Sequence, residues 1–588
     1  RSLALVASVI GREFDSILLR QVTGFTSAAL EEGLAALRQM QVIFASGSSS
    51  GSYIFRHALI QDTAYQSLLK RTRQSHHGAV ARTLETHHPE ILAREPELVA
   101  HHYAAAGDNS AARSLWMRAA ERAYSRSAAF EAVSHAREAF RTARGSGRHE
   151  IEARIMLGRA LQSAGQIGPA NQTLREAIDL ARVLDDNALF ADAVLTFANT
   201  LYLSMEPAAE ALPLLEEALG RLPAENDVLT SQILTYLVRG SVLAGERVRA
   251  RRYRARAIEA ARSCGDNVSL HGMQIIPYIV PLVHREPEEV TDWRSKIDEM
   301  LETGDQMNDD TKGRSRSIAF YVAAEMGDRD QMERKRARFK ELGEARQHMH
   351  MAWVDRHGDA MLAILDGRFE EAERLSKEAL ELGRQTHGED VEGVYGIQMF
   401  TIRREQGRLG EVAPVVKRMI DEDPGATAWK PGFAVIASDL GYEAPAQRIL
   451  DEMAEGDFAL ELDSKYSTTL SYLAEVATRL GDEARCEKLY KLLLPYRDLT
   501  ITAGVTTVCV GAADRYLGLL TSALGDWEIA EAHFRDAIAL EERMRAGPWL
   551  AHTQHELADM LERRGIGDDI EIADLREKVL EAASQFGM

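Results

Sequence analysis

A register of about forty residues constrains this chain more than any other feature of its sequence. Glycines recur at Gly165, Gly245, Gly327, Gly367, Gly407, Gly441, Gly481, Gly525 and Gly565. Glu206 and Glu286 fill the two double-length gaps, so successive marks lie 34 to 44 residues apart. A small residue follows five positions after several of the marks (Ala170, Ala250, Ala372, Ala446, Ala530). A bulky apolar one tends to follow at nine (Leu174, Leu215, Leu450, Tyr490, Phe534), and often alanine at twelve (Ala177, Ala218, Ala257, Ala379, Ala537). A period of this size marks stacked helical hairpins, each burying its face only against its neighbours. The expected fold is therefore an all-α solenoid, and a solenoid offers surfaces for binding more than sites for chemistry.

Composition agrees with helix. Of 588 residues only 15 are proline, and 45% are hydrophobic, which is ample core for several packed units. The net charge is -20, yet residues 1–95 hold 10 basic and 8 acidic side chains, so the acidic balance lies in the repeats. An acidic solenoid repels phosphate backbones and favours basic or neutral partners, which excludes nucleic acid as the expectation. Cys264, Cys486 and Cys509 are odd in number and widely spaced, so they form neither a disulfide framework nor a metal site. Cys486 takes the small-residue position of its repeat, where packing explains it. No apolar run approaches the ~20 residues of a membrane span, and no signal peptide is present, so a reducing cytoplasm is expected. The chain begins at Arg1 without an initiator Met and is read as the C-terminal piece of a longer protein.

The first 95 residues follow a different pattern. Three short apolar-periodic helices are predicted, Ser2 to Ile10, Asp15 to Val22 and Ser27 to Met40, with Asp15 and Ser27 as N-caps and Gly11 and Gly24 as stops. Two β-prone runs follow, Val42 to Phe44 and Tyr53 to Phe55, joined by the Gly/Ser stretch Ser46 to Ser52. Three helices and a hairpin make a winged helix over residues 1–95, completed by a longer helical stretch from His57 to Glu85. The third helix carries Glu31, Glu32 and one arginine, Arg38, which is the wrong equipment for reading a DNA groove.

The stretches YIFRHALIQDTAYQSLLKRTRQSHHGAVARTLE and PELVAHHYAAAGDNSAARSLWMRAAERA resemble the winged helix and first repeats of STAND-class signal-transduction ATPases. The opening ASVIGREFD and the closing PWLAHTQHELADMLERRGIGDD are similar to the bacterial branch often fused to a class III nucleotide cyclase domain. The repeats in residues 96–588 are tetratricopeptide-like, about a dozen hairpins. The resemblance implies that a histidine after the wing reaches the β-phosphate of ADP in the off state, and by position that is His57; His77, at a spacing the family also shows, is read as packing. A helix N-terminus with an imidazole donor suits an anion. The chain contains no Gly-Lys dipeptide and hence no phosphate loop. ATP or ADP, and any cyclase, are therefore expected on a domain upstream of Arg1, with no cofactor and no enzyme activity in this chain. A protein, peptide or small-molecule inducer is the expected partner, received on the concave face of the repeats and relayed through the winged helix. The rival readings are a stand-alone repeat scaffold and the sensor arm of a transcription activator.

Several further patterns are weighed. Gly47-Ser48-Ser49-Ser50-Gly51 matches GxSxG, but within a serine-rich wing tip and not on a strand-to-helix elbow. Six arginines fall in ten residues: Arg247, Arg251 and Arg254 share one helical face, and Arg249, Arg252 and Arg256 another, with Ala250 and Ala257 on the packed side. That run is either a solvated face paired with nearby acids or a dock for an acidic peptide or phosphorylated ligand. Arg334, Lys335, Arg336 and Arg338 form a weaker cluster. The paired histidines His76-His77, His87-His88, His101-His102, and His348 with His350, point to different faces and are poor chelators. His552, His555 and Glu556 have ligand spacing but no third-element ligand, so no metal is expected. Trp429, in ATAWKPGF, is the expected exposed aromatic and a candidate ligand contact. Pro277 and Pro281 interrupt the register between Pro277 and Thr303, where a bend is expected.

Overall fold

The computed structural model describes residues 1–46, 51–126, 128–203, 210–223, 227–279, 291–307, 309–346, 349–387, 391–422, 429–455, 457–458, 460, 465–504, 507–565 and 569–588. The chain divides into two compact units, Arg1–Thr200 and Leu201–Met588. The marks at Glu206 and Glu286, most of the Ser46–Ser52 link and residues 280–290 of the Pro-interrupted stretch lie outside the described residues.

The first unit opens with helices Ser2–Ile10, Ser16–Thr23 and Ser27–Gln39, close to expectation. Asp15 caps the second helix, accepting from Ile17 N at 2.7 Å and Leu18 N at 3.1 Å. Gly24 ends that helix in the left-handed region at φ 68°. The cap of the third helix is Thr26, not Ser27, because the Thr26 hydroxyl reaches Ala29 N at 3.4 Å. The expected hairpin is a three-stranded antiparallel sheet: Ser52–Phe55 lies between Ile43–Ala45 and an extra strand, Glu13–Asp15. Three residues reading Glu-Phe-Asp give too short an alternation to recognise in sequence. Leu3, Leu19, Leu34, Leu37, Phe14, Ile43 and Phe55 close one core between helices and sheet.

From Pro96 onward helices pack in antiparallel succession, and the glycine register explains how. All nine register glycines are left-handed, with φ between 64° and 80°. At Gly165 the turn is a double hydrogen-bonded reversal: Gly165 N donates to Gln162 O at 3.0 Å and Gln166 N to Leu161 O at 2.9 Å. The same pair recurs at Gly245 and Gly327, with Glu246 N on Ser241 O at 2.8 Å and Asp328 N on Ala323 O at 2.9 Å. Each glycine thus turns one helix into the next within two residues, and the following small residue lets the pair approach. Ala170, Ala372, Ala446, Ala530 and Cys486 are all fully buried, as are Leu174, Leu215, Leu450 and Phe534. Burial also pushes the Cys486 thiol up to about 11, as packing alone would.

One element of the second unit departs from the helical expectation. Strands Thr500–Ala503 and Val508–Ala512 form an antiparallel hairpin with every residue buried. It lies against the leading helices of repeats far apart in sequence. Thr500 Oγ1 donates to Ala324 O at 2.7 Å, Gln398 Nε2 to Thr507 O at 2.9 Å, and Ala512 N to Glu541 Oε1 at 3.1 Å. Residues 309–588 also close on themselves. Arg545 pairs with Asp330 and Glu333 at 3.3 and 3.2 Å, and His552 with Glu405 at 2.7 Å. The inner face of these repeats is therefore occupied by the chain's own hairpin, so an inducer received there, as the sequence suggested for the concave face as a whole, finds it filled. The 44-residue interval from Gly481 to Gly525 holds the hairpin by shortening both flanking helices, Glu483–Leu493 and Ala513–Ala523. The β-branched run ThrIleThrAla…ValCysValGly was the available signal, masked by the nearly constant period.

Two outcomes are expected. Gly481→Ala, where an added Cβ meets nothing within 4 Å, should cost only the left-handed backbone penalty, about 1–2 kcal/mol. Gly367→Ala should lower the thermal midpoint further, because its Cβ would lie 2.3 Å from the Phe586 ring where the C-terminus closes the unit. Equal shifts in a melting series would contradict that closure. Second, burial raises Glu541 to about 7, above its ordinary value near 4.5. Stability from its neutral form is complete below about 4.5 and lost as pH rises through about 7. Glu541→Gln should therefore flatten the decline in melting temperature between pH 5 and pH 8, measured against wild type.

Candidate ligand groove

The arginine run lies on the helix Arg247–Cys264, which Gly245 turns back from Val228–Leu243. Ala250, Tyr253, Ala257, Ala260 and Ala261 are its buried side and fix the rotation of the helix. Rotation then separates the two arginine sets foreseen from spacing. Arg249 engages Glu216 at 2.8 Å and Glu246 at 2.7 Å, while the Tyr253 hydroxyl donates to Glu216 at 2.7 Å. The Tyr253 hydrogen bond and then Arg249 hold the Glu216 carboxyl below the usual range. Arg252 and Arg256 lie over the Tyr253 ring at 5.7 and 5.9 Å. This set is structural.

Arg247, Arg251 and Arg254 instead line a cavity of about 720 Å³. Arg262 extends the row from the same helix, and Lys296 faces it from Trp293–Gly304. Val238, Val242, Ile258, Leu270, Met273, Ile276 and Tyr278 supply an apolar floor, and among the described lining residues Glu299 is the one carboxylate. Sequence reasoning found three of the five cations. Arg262 and Lys296 were missed because Arg262 lies beyond the dense run and Lys296 reaches the groove only through the following helix. The described lining of the groove thus sets basic side chains over an apolar floor.

The other candidates lie elsewhere. Trp429 is half-buried, not exposed as expected, with its ring against Gly396 and beside Phe400 and Tyr472. As the N-cap residue of Lys430–Asp439 it packs against the hairpin-bearing core, so it is removed from the arginine groove. Lys335 is spent on Asp298 at 2.6 Å and Arg336 on Asp355 and Asp359, which disperses the second basic cluster. His552 pairs with Glu405, His555 with Asp559 and Glu556 with Arg515, so the suggested ligand triplet is divided among three separate ion pairs. The GxSxG match falls largely outside the described residues.

His57 is exposed at the start of the helix Ala58–Gln66, where it is the N-cap residue without a side-chain cap. The other end of that helix is tied to the repeats. Tyr65 OH meets His77 Nε2 at 3.0 Å, and His77 Nδ1 meets His102 Nδ1 at 2.9 Å, joining Ala58–Gln66, Lys70–His87 and Pro96–Ala106. His77, read from sequence as plain packing, is buried but also the middle of this polar chain. Its partners were invisible because they lie 12 and 25 residues away. The third predicted helix exposes Glu31, Glu32 and Arg38, so its outer face carries little cationic charge.

No protein-family model matches the chain, and neither does any curated protein. Among solved structures it is similar to the Cut9–Hcn1 hetero-tetramer of APC/C, at 13% identity over 90% of this chain and 96% of that one, with a TM-score of 0.47. It is also similar to a Rap protein complexed with competence and sporulation factor, at 16% identity over 58% and 78%, TM-score 0.28. A third likeness is to a signal-transduction ATPase with numerous domains and a tetratricopeptide repeat sensor from Pyrococcus horikoshii, at 11% identity, TM-score 0.32. It covers 84% of this chain and 62% of that chain. The tetratricopeptide-like solenoid fold rests on the helix pairing described above, not on these likenesses. Among the described residues, no helix is long and apolar enough to cross a membrane.

The histidine chain yields an acid-lability prediction. Burial, then neighbouring His101 and Arg73, lowers His77 to about 4; burial, then His77 and His101, lowers His102 to about 3. Both bind protons more readily unfolded, with a pKa near 6.5, so stability is full above about 6.5 and falls as pH drops toward 4. The melting temperature of the N-terminal unit should fall between pH 7 and pH 5, and His102→Gln should reduce that slope. An unchanged slope would remove these histidines from the acid response.

Proposed function

We propose that the chain is the sensor and relay region of a STAND-type signal-transduction ATPase, a binding module and not an enzyme. The observation that carries this is the placement of His57. An exposed imidazole begins a helix whose far end is fastened through Tyr65, His77 and His102 to the first repeat hairpin. The first three helices and sheet serve as a winged helix, and the stretch Tyr53 to Glu85 resembles that family. An inducer seated on the repeats shifts them, the polar chain carries the shift to Ala58–Gln66, and His57 loses its hold on the β-phosphate of ADP. ATP and ADP belong to a nucleotide-binding domain upstream of Arg1.

The test is nucleotide retention by a chain that includes the upstream domain. His57→Ala should lower ADP retention roughly ten- to a hundredfold, the worth of about 1.5–3 kcal/mol for a hydrogen bond to a charged group, and raise basal output. The melting of the 588-residue chain alone should be unchanged, since His57 is exposed. That chain should also show no magnesium-dependent ATP hydrolysis. Equal ADP retention by wild type and mutant would end the relay reading.

A further inference from the structure

We infer that Arg239 and Arg314 together hold one phosphate group, as inorganic phosphate or as a small phosphomonoester, on the leading helices of two repeats. This site lies outside the relay and does not depend on it. Charge is the first observation. Acidic side chains outnumber Lys and Arg in this chain by 90 to 70, and buried or half-buried arginines of the repeats elsewhere meet carboxylates. Arg329 meets Asp366 and Glu333, Arg404 meets Asp439 and Glu475, and Arg515 meets Glu475 and Glu556. Half-buried Arg239, on Val228–Leu243, has no carboxylate partner among the described residues. The charged group that acts on it is a second cation, Arg314, on Asp309–Glu325. Burial first, and then Arg314 against the opposing pull of Tyr236, hold the Arg239 guanidinium below its ordinary value.

Geometry is the second. Tyr202 OH donates to Tyr236 O at 3.2 Å and fills the space that a Cβ on Gly240 would take. The two tyrosine rings stack at 5.9 Å, and the Arg239 guanidinium lies 5.4 Å from the centre of the Tyr202 ring. A ring face attracts a guanidinium without neutralising it. The Arg239 Nε–H is buried and donates to no acceptor among the described residues. A buried donor without an acceptor is destabilising, so its retention points to an acceptor that arrives with a ligand. Asn267–Ile275 lies between the two arginine-bearing helices, with Gly272 against Thr235 on one side and His271 Nε2 2.7 Å from Ser315 Oγ on the other. His271 Nδ1 meets Gln274 Oε1 at 3.1 Å, and burial, with Arg314 adding to it, keeps this imidazole below its ordinary value. It therefore adds no charge near neutral pH. Arg249, which also acts on Tyr202, is spent on Glu216 and Glu246. The hairpin bonds the other end of Asp309–Glu325, through Ala324 O. Two uncompensated guanidinium groups match a dianion. A phosphomonoester carries about −1.5 to −2 charges at neutral pH and offers oxygens to the forked donors of both arginines. A carboxylate brings one charge and leaves the second cation unanswered.

The experiment is calorimetric titration of the full chain with inorganic phosphate, phenyl phosphate and benzoate at constant ionic strength. Wild type should bind phosphate at one site, with affinity falling between about pH 8 and pH 5.5 as the second phosphate ionisation, near 6, is reversed. Arg239→Gln should weaken binding roughly ten- to a hundredfold. Arg314→Gln, an exposed change that leaves the core intact, should do the same. Neither variant should melt earlier than wild type in phosphate-free buffer, because each removes one of two like charges. Arg251→Gln, in the arginine-lined cavity, should leave the affinity unchanged. Tighter binding of phenyl phosphate than of inorganic phosphate identifies an esterified ligand, and the reverse identifies the free ion; either supports the inference. Equal binding by wild type and the two single variants overturns it, as does a wild-type chain that binds neither phosphate. Benzoate bound as tightly as phenyl phosphate, or an affinity flat across that pH range, makes this a monoanion site and likewise overturns it. ADP retention by His57→Ala tests the relay alone, since neither Arg239 nor Arg314 takes part in it.

Discussion

The left-handed reversal at each register glycine is the constraint on which the structure depends. Successive helices must turn back within two positions, and only a residue free of a Cβ does so without strain. Once the turn is fixed, the residue five positions on is small and buried at Ala170, Ala250, Ala372, Ala446, Cys486 and Ala530, where it faces the partner helix. The next turn of the helix carries the bulky side chain that locks to the neighbouring repeat. Helix pairing thus follows from one backbone geometry applied nine times, not from nine independent packing solutions. Gly367 shows a second use of the same residue type, since its missing Cβ also makes room for Phe586 from the C-terminal helix.

Ion pairs repeat at the same period. Arg404 reaches Asp439, Arg479 reaches the same carboxyl, Glu475 meets both Arg404 and Arg515, and Arg515 continues to Glu556. These partners stand 35, 40, 71, 40 and 41 residues apart, one or two repeats each. Glu475 and Arg515 are almost wholly buried, so each charge depends on its opposite. A hydrophobic register alone would tolerate sliding by one helical turn; charges placed once per repeat do not. The hairpin Thr500–Ala512 covers the apolar inner face beside this ladder, and Glu541 beneath Ala512 completes its backbone bonding.

The repeats were legible because their signal is local and recurrent. Glycine, alanine and leucine at fixed offsets define the hairpins before any tertiary contact is known, and Asp15 or Gly24 could be placed from short-range rules. What escaped depends on distance. The strand Glu13–Asp15 exists only because Ser52–Phe55 pairs with it. Tyr65, His77 and His102 become a chain only after three helices assemble, and Trp429 is covered by residues that sequence places elsewhere. The arginine run was visible as a run; that Arg249 engages Glu216 and Glu246 while Arg247, Arg251 and Arg254 line a cavity required the rotation of a helix.

That rotation also explains why the groove lies where it does. Regular repeats bury their helices against both neighbours, and ion pairs join them at the same period. The helix Arg247–Cys264 is followed by Asn267–Ile275, a tight turn at Ile276–Ile279 and the short helix Trp293–Gly304. Pro277 lies within that turn, where a longer packed helix would otherwise run. Arg251, Arg254 and Ile258 line the cavity beside this irregular stretch, together with Ile276, Pro277 and Tyr278. Departure from the repeat therefore coincides with a cavity whose described lining sets basic side chains over an apolar floor. The same lapse of regularity that blurs the sequence register accompanies the cavity.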